Sequence, residues 1–245
     1  MLETSTTALF LKELGPRLLA QYSRPKAILC MSAHWNTSKT TLSTAGEPSQ
    51  IYDFSGFPAE LYKVKYSCLG HAPLAKEIAK TLEQAGFMVD LDPTRGLDHG
   101  AWVPMALMFP KADIPVISMS VQSSHSSEHH FRLGEALRLF RDQGVMIVGS
   151  GGVTHNLRAL QDKDATPDAR AEIFSKWLTD NARSGNIKAL LEVGKLGPEV
   201  RFNHPSPEHL FPFYFTLGAA QNREAEVIHQ AFEYSVLSLN AFLWN

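Results

Sequence analysis

Short apolar runs alternate with amphipathic segments along this chain, and the alternation predicts a layered α/β fold. Residues 27–32 are apolar up to the last position and are bounded by turn residues, which is typical of a buried strand. Strands alternating with helices indicate a largely parallel sheet. Further strands are predicted over residues 40–44, 87–91, 115–121, 145–148 and 236–243.

Helical periodicity occupies most of the segments between these strands. The first fifteen residues are predicted to form a helix, which Thr6 or Thr7 can cap, and Leu14 and Leu18 recur at helical spacing. Residues 46–71 carry several glycines and prolines and are predicted to be irregular. No repeat, low-complexity tract or polar linker divides the chain, so we predict one domain over residues 1–245. Further helices are predicted over residues 72–84, 101–109, 128–142, 155–161, 166–192 and 207–220.

Composition narrows the class of protein. The chain has 245 residues, 44% of them apolar, with a formal net charge of -2 and no basic stripe, which argues against a nucleic-acid partner. The two cysteines, Cys30 and Cys68, exclude a disulfide framework and a cysteine-rich zinc site. No apolar stretch is long enough for a membrane span, and the first residues do not resemble a signal peptide. We therefore expect a cytoplasmic protein; a homo-oligomer is compatible with the sequence.

Four histidines stand where α/β proteins place chemistry, just past an apolar segment or at the start of a helix. They are His34, His99, His155 and His209. Ligands bind at the carboxyl ends of strands in such folds, and imidazole is the commonest protein metal ligand. We expect the four to form one site, most simply a metal centre. A donor set rich in nitrogen favours Zn²⁺ or Fe²⁺ over Ca²⁺ or Mg²⁺.

Each of these histidines also has a structural explanation. His34 could bond a loop carbonyl, and Asp98 could cap a helix and leave His99 incidental. His155 follows the glycines of residues 149–152, which would let the backbone approach a ligand or would simply shape a turn. We expect His155 to stand at the start of a helix. There it could act as a metal ligand or as an acid/base. His209 ends a proline-stiffened stretch in which it is a competent ligand.

A serine hydrolase is a second interpretation of the same loops. Ser150 lies between glycines on a predicted strand-to-helix turn, although Val148 stands where a nucleophile elbow has glycine. His209 or His229 would then be its base. A dinucleotide fingerprint is rejected, because Thr154 stands where its third glycine should be.

Five motifs, in order, resemble the DOPA-dioxygenase-like branch of the class III extradiol ring-cleavage dioxygenase family. The resemblance covers nearly the whole chain. The motifs are Ser32-Ala-His-Trp35, Tyr52-Asp-Phe-Ser-Gly-Phe-Pro58, Gly96-Leu-Asp-His-Gly-Ala-Trp102, Thr154-His-Asn-Leu157 and Pro205-Ser-Pro-Glu-His209.

This resemblance implies a single α/β domain around a central mixed sheet. It implies a dioxygenase that opens a catechol ring beside the diol with O₂ and a non-haem metal, usually Fe(II), in some members Zn(II). His34 and His209 correspond to metal ligands. His155 corresponds to a ligand or to the acid/base that takes a phenolic proton and returns it. His99 corresponds to a pocket histidine that contacts substrate or O₂.

The aromatic side chains of Tyr52, Phe54 and Phe57 could line a pocket for the substrate ring, or could belong to core packing. The metal would chelate both catechol oxygens and leave a position for O₂.

One family feature has no counterpart ahead of Leu9 in this sequence. Family members begin with a strand that ends in a Gly-His-Gly-Ser-Pro-like motif, whose histidine is another metal ligand. Either this sequence is truncated at its start, or the site has lost this ligand and the sheet this strand. His155 could then close a three-histidine set with His34 and His209. The alternatives to a dioxygenase are a metallo- or serine hydrolase on the same loops, and a non-catalytic homologue that has lost a metal ligand.

Overall fold

A five-stranded sheet forms the centre of the structure, a computed structural model that describes residues 5–56 and 59–245. Its strands are β1 (Ala27–Asn36), β2 (Thr40–Ser43), β3 (Val89–Asp92), β4 (Val116–Val121) and β5 (Val145–Ser150). Their spatial order is β3-β2-β4-β1-β5. β1 runs parallel to β4 and β5, and β2 runs parallel to β3, whereas β2 and β4 are antiparallel. The sheet is thus mixed and largely parallel, as the sequence predicts.

Helices cover both faces of this sheet, so its central strands are apolar on both sides. Alternate side chains of β1 enter different cores: Ile28 and Cys30 pack with the first and third helices, and Leu29 and Met31 with the second, fourth and tenth. The helices are α1 (Thr6–Gln21), α2 (Ala72–Gln84), α3 (His99–Met108), α4 (Ser127–Leu137), α5 (Leu139–Asp142), α6 (Ala169–Arg183), α7 (Ile187–Leu191), α8 (Val193–Leu196), α9 (Val200–Asn203) and α10 (Phe211–Ala219). None of the described helices is long and apolar enough to span a membrane.

Two glycines allow α4 and α10 to approach closely. A Cβ atom at Gly134 would overlap the carbonyl oxygen of Phe215, and one at Gly218 would overlap that of Phe131. This close pair presses α10 against the sheet, where it contacts β5 and β1. The start of α10 is thereby fixed beside the ends of these two strands.

Several predicted elements differ from the structure. The helix predicted over 155–161 is wrong: this stretch holds only a 3₁₀ turn, Leu157–Ala159, because its backbone bonds to distant segments. The helix over 128–142 is broken at Arg138, and the one over 166–192 ends at Arg183, just before Gly185 at φ +63. The strand over 236–243 is two short strands in separate pairs. These pairs join β6 (Glu226–His229) to β9 (Ala241–Leu243) and β7 (Phe232–Glu233) to β8 (Leu237–Ser238).

Candidate active site

The structure brings all four predicted histidines together at one end of the sheet. The rings of His34 and His99 have centroids 3.9 Å apart, and those of His34 and His209 lie 4.9 Å apart, edge to face. The rings of His155 and His209 stack at 3.4 Å. Residues that are distant along the chain therefore form one continuous imidazole cluster.

His34 owes its position to an irregularity in β1. The pairing of β1 with β4 is regular as far as Ser32 and resumes at Asn36, with a register shift between them. Such a bulge redirects side chains at the end of a strand. His34 lies within it, at the carboxyl end of the central strand, where ligands bind in open α/β sheets.

His99 is the first residue of α3, and a buried polar network holds that helix end. Asp98 is fully buried and caps α3 by accepting a bond from the Ala101 N–H, as the sequence suggests. Asp98 also accepts hydrogen bonds from the Ser32 hydroxyl at 2.6 Å and the Arg95 guanidinium at 2.8 Å. Because Ser32 belongs to β1, this network ties the start of α3 to the strand that carries His34.

His155 and His209 lie on two loops that are bonded to each other. The Gly152 N–H donates to the His209 carbonyl, the His155 N–H donates to the Asn203 carbonyl, and the His204 ring lies 2.8 Å from the Val153 carbonyl oxygen. A Cβ atom at residue 151 would overlap the His209 carbonyl oxygen. The glycine of this loop therefore permits close packing of two protein segments.

The local interpretation of the sequence around His155 needs a correction. His155 does not open a helix, so no helix N-terminus is available there for an anion. The glycines at 149 and 151 meet the backbone of Pro212 and His209, which is contact within the protein and explains their small size.

Asp53 is the site residue that sequence reasoning missed. Its Oδ1 atom accepts a hydrogen bond from the His99 N–H at 2.9 Å and lies 2.9 Å from His99 Nδ1, and its Oδ2 lies 3.9 Å from His34 Nδ1. The potential ligand atoms of His34, Asp53 and His99 all fall within 4.8 Å of one another. The signal was its place in the motif Tyr52-Asp-Phe-Ser-Gly-Phe-Pro58, between two aromatic residues.

Burial favours the neutral form of three imidazoles of the cluster, those of His34, His155 and His209, because it lowers their pKa. Burial, followed by the nearby rings of His155 and His34, lowers the pKa of His209 to about 2. Burial and the neighbouring His34 lower the pKa of His155 to about 4, and burial also lowers the pKa of His34. A neutral imidazole retains a nitrogen lone pair, to which a transition metal or a proton can bind. The nitrogen-rich donor set fits Fe²⁺ or Zn²⁺.

An aromatic wall adjoins His99. The Phe54 ring meets the His99 ring edge to face at 5.6 Å, Tyr62 lies 5.0 Å from Phe54, and Trp102 lies 5.7 Å from Tyr52. Phe57, the third aromatic residue predicted for this region, lies outside the described residues. A separate apolar cavity of about 540 Å³ follows the outer edge of β5; among the four histidines, only His209 lines it.

The contacts of the described residues give little support to a serine hydrolase. Ser150 is the last residue of β5 and has no hydrogen bond to a histidine within residues 5–56 and 59–245. His229, one of its two proposed bases, lies 3.0 Å from the Thr7 hydroxyl and stacks on Phe10. The ring of His209, the other proposed base, stacks on His155.

Comparison with known proteins agrees with the family resemblance of the sequence motifs. A family model described as the catalytic LigB subunit of aromatic ring-opening dioxygenase matches residues 3–243. The chain is 41% identical over 221 residues to a 4,5-DOPA dioxygenase extradiol of Beta vulgaris, covering 89% of this chain and 82% of the relative. It is 36% identical over 204 residues to the protein of that name from Escherichia coli K12, covering 82% and 75%.

A solved structure agrees with the fold. The crystal structure of an uncharacterised protein from Escherichia coli K12 superposes with a TM-score of 0.81 at 29% identity, covering 98% of this chain and 93% of that one. The likeness thus extends over the central sheet and all four histidine-bearing segments.

Proposed function

Because the chain belongs to the LigB family of catalytic subunits of aromatic ring-opening dioxygenases, we propose that it cleaves a catechol-type ring beside its diol, using O₂. The observation that carries the proposal is the cluster of four imidazoles at the carboxyl end of β1 and β5. Several relatives are named as extradiol dioxygenases of DOPA, which is itself a catechol. DOPA is therefore the first substrate to try.

We assign His34 and His209 as metal ligands. Their rings meet edge to face at 4.9 Å, so their nitrogen atoms can approach one ion from different directions. Fe(II), or Zn(II) as the alternative ion, would when bound supply chelation of the diol and a site for O₂. Burial lowers the pKa of both histidines, which supports the assignment, because a ligating imidazole must be deprotonated.

His155 is proposed as the proton-transfer residue of the site. Its ring is parallel to that of His209 at 3.4 Å, an arrangement that favours a place beside the ligand over a shared ion. Its lowered pKa of about 4 leaves the ring neutral, so it can accept a phenolic proton and return it after ring cleavage. Its backbone is held by the bond to the Asn203 carbonyl.

His99 and the aromatic wall are proposed to contact the substrate. About a quarter of the His99 side chain is exposed, which leaves it accessible to a bound molecule. Phe54 packs edge to face against His99, and Tyr52 packs against Phe54. Offset or edge-to-face contact with such rings stabilises a flat aromatic substrate.

Anaerobic reconstitution tests the proposal directly. Metal-free protein is loaded with Fe(II) or Zn(II), mixed with DOPA or a simpler catechol, and exposed to O₂. We expect O₂ consumption and a ring-opened chromophore with Fe(II), and loss of both bound metal and product in His34→Ala and His209→Ala. His125→Ala, an exposed histidine outside the cluster, is the matched control and should retain both. Absence of metal binding and of product with every catechol would contradict the proposal.

A further inference from the structure

We propose that Asp53 is a positioning residue that holds the His99 imidazole with its Nε2 atom facing the substrate. The inference rests on the proposed function, in which His99 contacts the catechol. The Asp53 Oδ1 atom accepts a hydrogen bond from the His99 backbone N–H at 2.9 Å and lies at the same distance from Nδ1 of that residue. The chain thereby links two motifs that are 46 positions apart.

The Nδ1 atom of the His99 ring has few other possible hydrogen-bond partners. This atom is buried, and among the described residues no acceptor is aligned with it for a hydrogen bond. Asp53 Oδ1 is close enough at 2.9 Å, but it lies off the direction in which that nitrogen would donate. Rotation about a ring torsion of this kind is soft, and buried polar groups are nearly always paired. We therefore take Asp53 as the acceptor for this nitrogen.

The consequence is a defined tautomer. A carboxylate beside Nδ1 keeps the proton on that atom and leaves the lone pair on Nε2, on the opposite side of the ring. The ring is also enclosed, by His34 at 3.9 Å and by Phe54 at 5.6 Å, so it has little freedom to turn over. Nε2 is then ready to accept a hydrogen bond from a catechol hydroxyl.

The charge of Asp53 agrees with this role. Burial raises its pKa, but the hydrogen bond from the His99 backbone and the contact with the His99 ring outweigh burial, and the pKa lies below its usual range. Asp53 is thus an anion beside His99. Its other oxygen is 3.9 Å from His34 Nδ1, too far for a direct hydrogen bond, so we expect Asp53 to act mainly on His99.

A direct role as metal ligand is the competing explanation, because Asp53, His34 and His99 are close enough to share an ion. The two roles differ in what Asp53→Asn removes. A ligand's loss lowers metal content. A positioning residue's loss leaves metal content unchanged and changes the tautomer of His99.

The test compares wild-type, Asp53→Asn, His99→Ala and the double variant, all loaded with Zn²⁺ and labelled with ¹⁵N-histidine. Asp90→Asn is the matched control, since Asp90 is an exposed carboxylate paired with Lys39. We expect the ¹⁵N spectrum to show His99 protonated at Nδ1 in wild-type and Asp90→Asn, and to show that preference lost in Asp53→Asn. Zinc stoichiometry and Tm should be the same in all three.

Turnover of the Fe(II)-loaded forms adds a second measurement. We expect kcat for the catechol to fall about 10–100-fold in Asp53→Asn, the usual range for a residue that orients a functional histidine, with a smaller change in KM. In the His99→Ala background the same change should cause no further loss. Asp53→Glu keeps the charge and should recover part of the kcat that is lost in Asp53→Asn. If Asp53→Asn does not fold, Asp53→Glu takes its place, with a smaller expected loss of kcat.

Three results would overturn the inference: a fall in zinc stoichiometry in Asp53→Asn, losses that multiply in the double variant, or an unchanged His99 tautomer. If no catechol is turned over, the proposed function fails, but the NMR measurement still decides the role of Asp53. The two failures are therefore distinguishable.

Discussion

The imidazole ring of His155 lies face to face with that of His209, with centroids 3.4 Å apart and planes only 6° from parallel. His209 is almost completely buried, whereas His155 is partly exposed. This difference agrees with the proposed roles, since the buried ring of His209 is suited to hold an ion and the more exposed ring of His155 is suited to exchange a proton with substrate.

Replacement of His155 should therefore impair chemistry more than metal binding. We expect His155→Gln to keep its Fe(II) or Zn(II) and to lose turnover of a catechol about 10²–10⁴-fold, the usual contribution of a general acid/base. Metal content by elemental analysis and kcat by O₂ uptake measure the two effects separately. His209→Gln is the comparison and should lose the metal as well. Loss of metal from His155→Gln would identify this residue as a ligand.

The close approach of the two histidine-bearing loops should make Gly151 intolerant of a side chain. In Gly151→Ala the new methyl group would overlap the His209 carbonyl oxygen, so one loop must move. We expect a loss of about 1–3 kcal/mol in the free energy of unfolding, measured by urea titration, together with reduced turnover.

Gly194 provides the matched control for this change. It lies in α8, where a Cβ atom would meet nothing within 4 Å. Gly194→Ala should leave stability unchanged or raise it by up to about 1 kcal/mol through the helix propensity of alanine. Equal effects of the two substitutions would show that the loop contact does not restrain residue 151.

Strands and the longer helices could be predicted because their signals are local. The helix Ala72–Gln84 was predicted to the residue, since its apolar period is regular and Gly86, at φ +88, follows its end. The segment after His155 was predicted wrongly because long-range bonds decide it. The His155 N–H bonds to residue 203 and the Gln161 N–H to residue 234, and no local pattern reports either partner.

The candidate site shows the same division. In the sequence, each of the four histidines follows an apolar run or stands at the predicted start of a helix, so position along the sequence was enough to select them. Asp53 lies in an irregular segment, and its importance depends on contact with His99, which is distant in sequence. Such a contact becomes visible only when the chain is folded.

The network beneath α3 should contribute strongly to stability. Asp98→Ala would remove the cap of α3 and leave the Arg95 guanidinium and the Ser32 hydroxyl without their buried acceptor. Breaking a buried ion pair costs about 3 kcal/mol or more. Asp168→Ala is the control, because Asp168 caps α6 and pairs with Arg170 at the surface.

A cap alone is worth about 1 kcal/mol, so the urea-measured loss in Asp98→Ala should be several times that in Asp168→Ala. Similar losses in both variants would mean that the buried pair adds nothing beyond the cap.

The stability of the protein should fall in mild acid because of His130, which is fully buried and lies outside the histidine cluster. Its ring lies 3.2 Å from the Gln122 N–H and 2.9 Å from the Ser126 carbonyl oxygen, and it stacks on Phe211. Burial lowers its pKa to about 3, although the Ser126 bond opposes the shift. Between this pKa and the unfolded value of about 6.5, the unfolded chain binds more protons than the folded one.

This difference stabilises the folded state fully above pH 6.5 and is lost as the pH falls from there towards 3. At pH 5 the loss from His130 should be about 2 kcal/mol. His130→Gln cannot titrate, so the free energy of unfolding, measured with urea at pH 7.5 and pH 5, should fall by about 2 kcal/mol less in this variant than in wild-type. Thr154→Val, which removes a buried hydroxyl without titrating, is the control. It should lower stability by the same amount at both pH values, and an equal pH dependence in wild-type and His130→Gln would exclude His130 as the source.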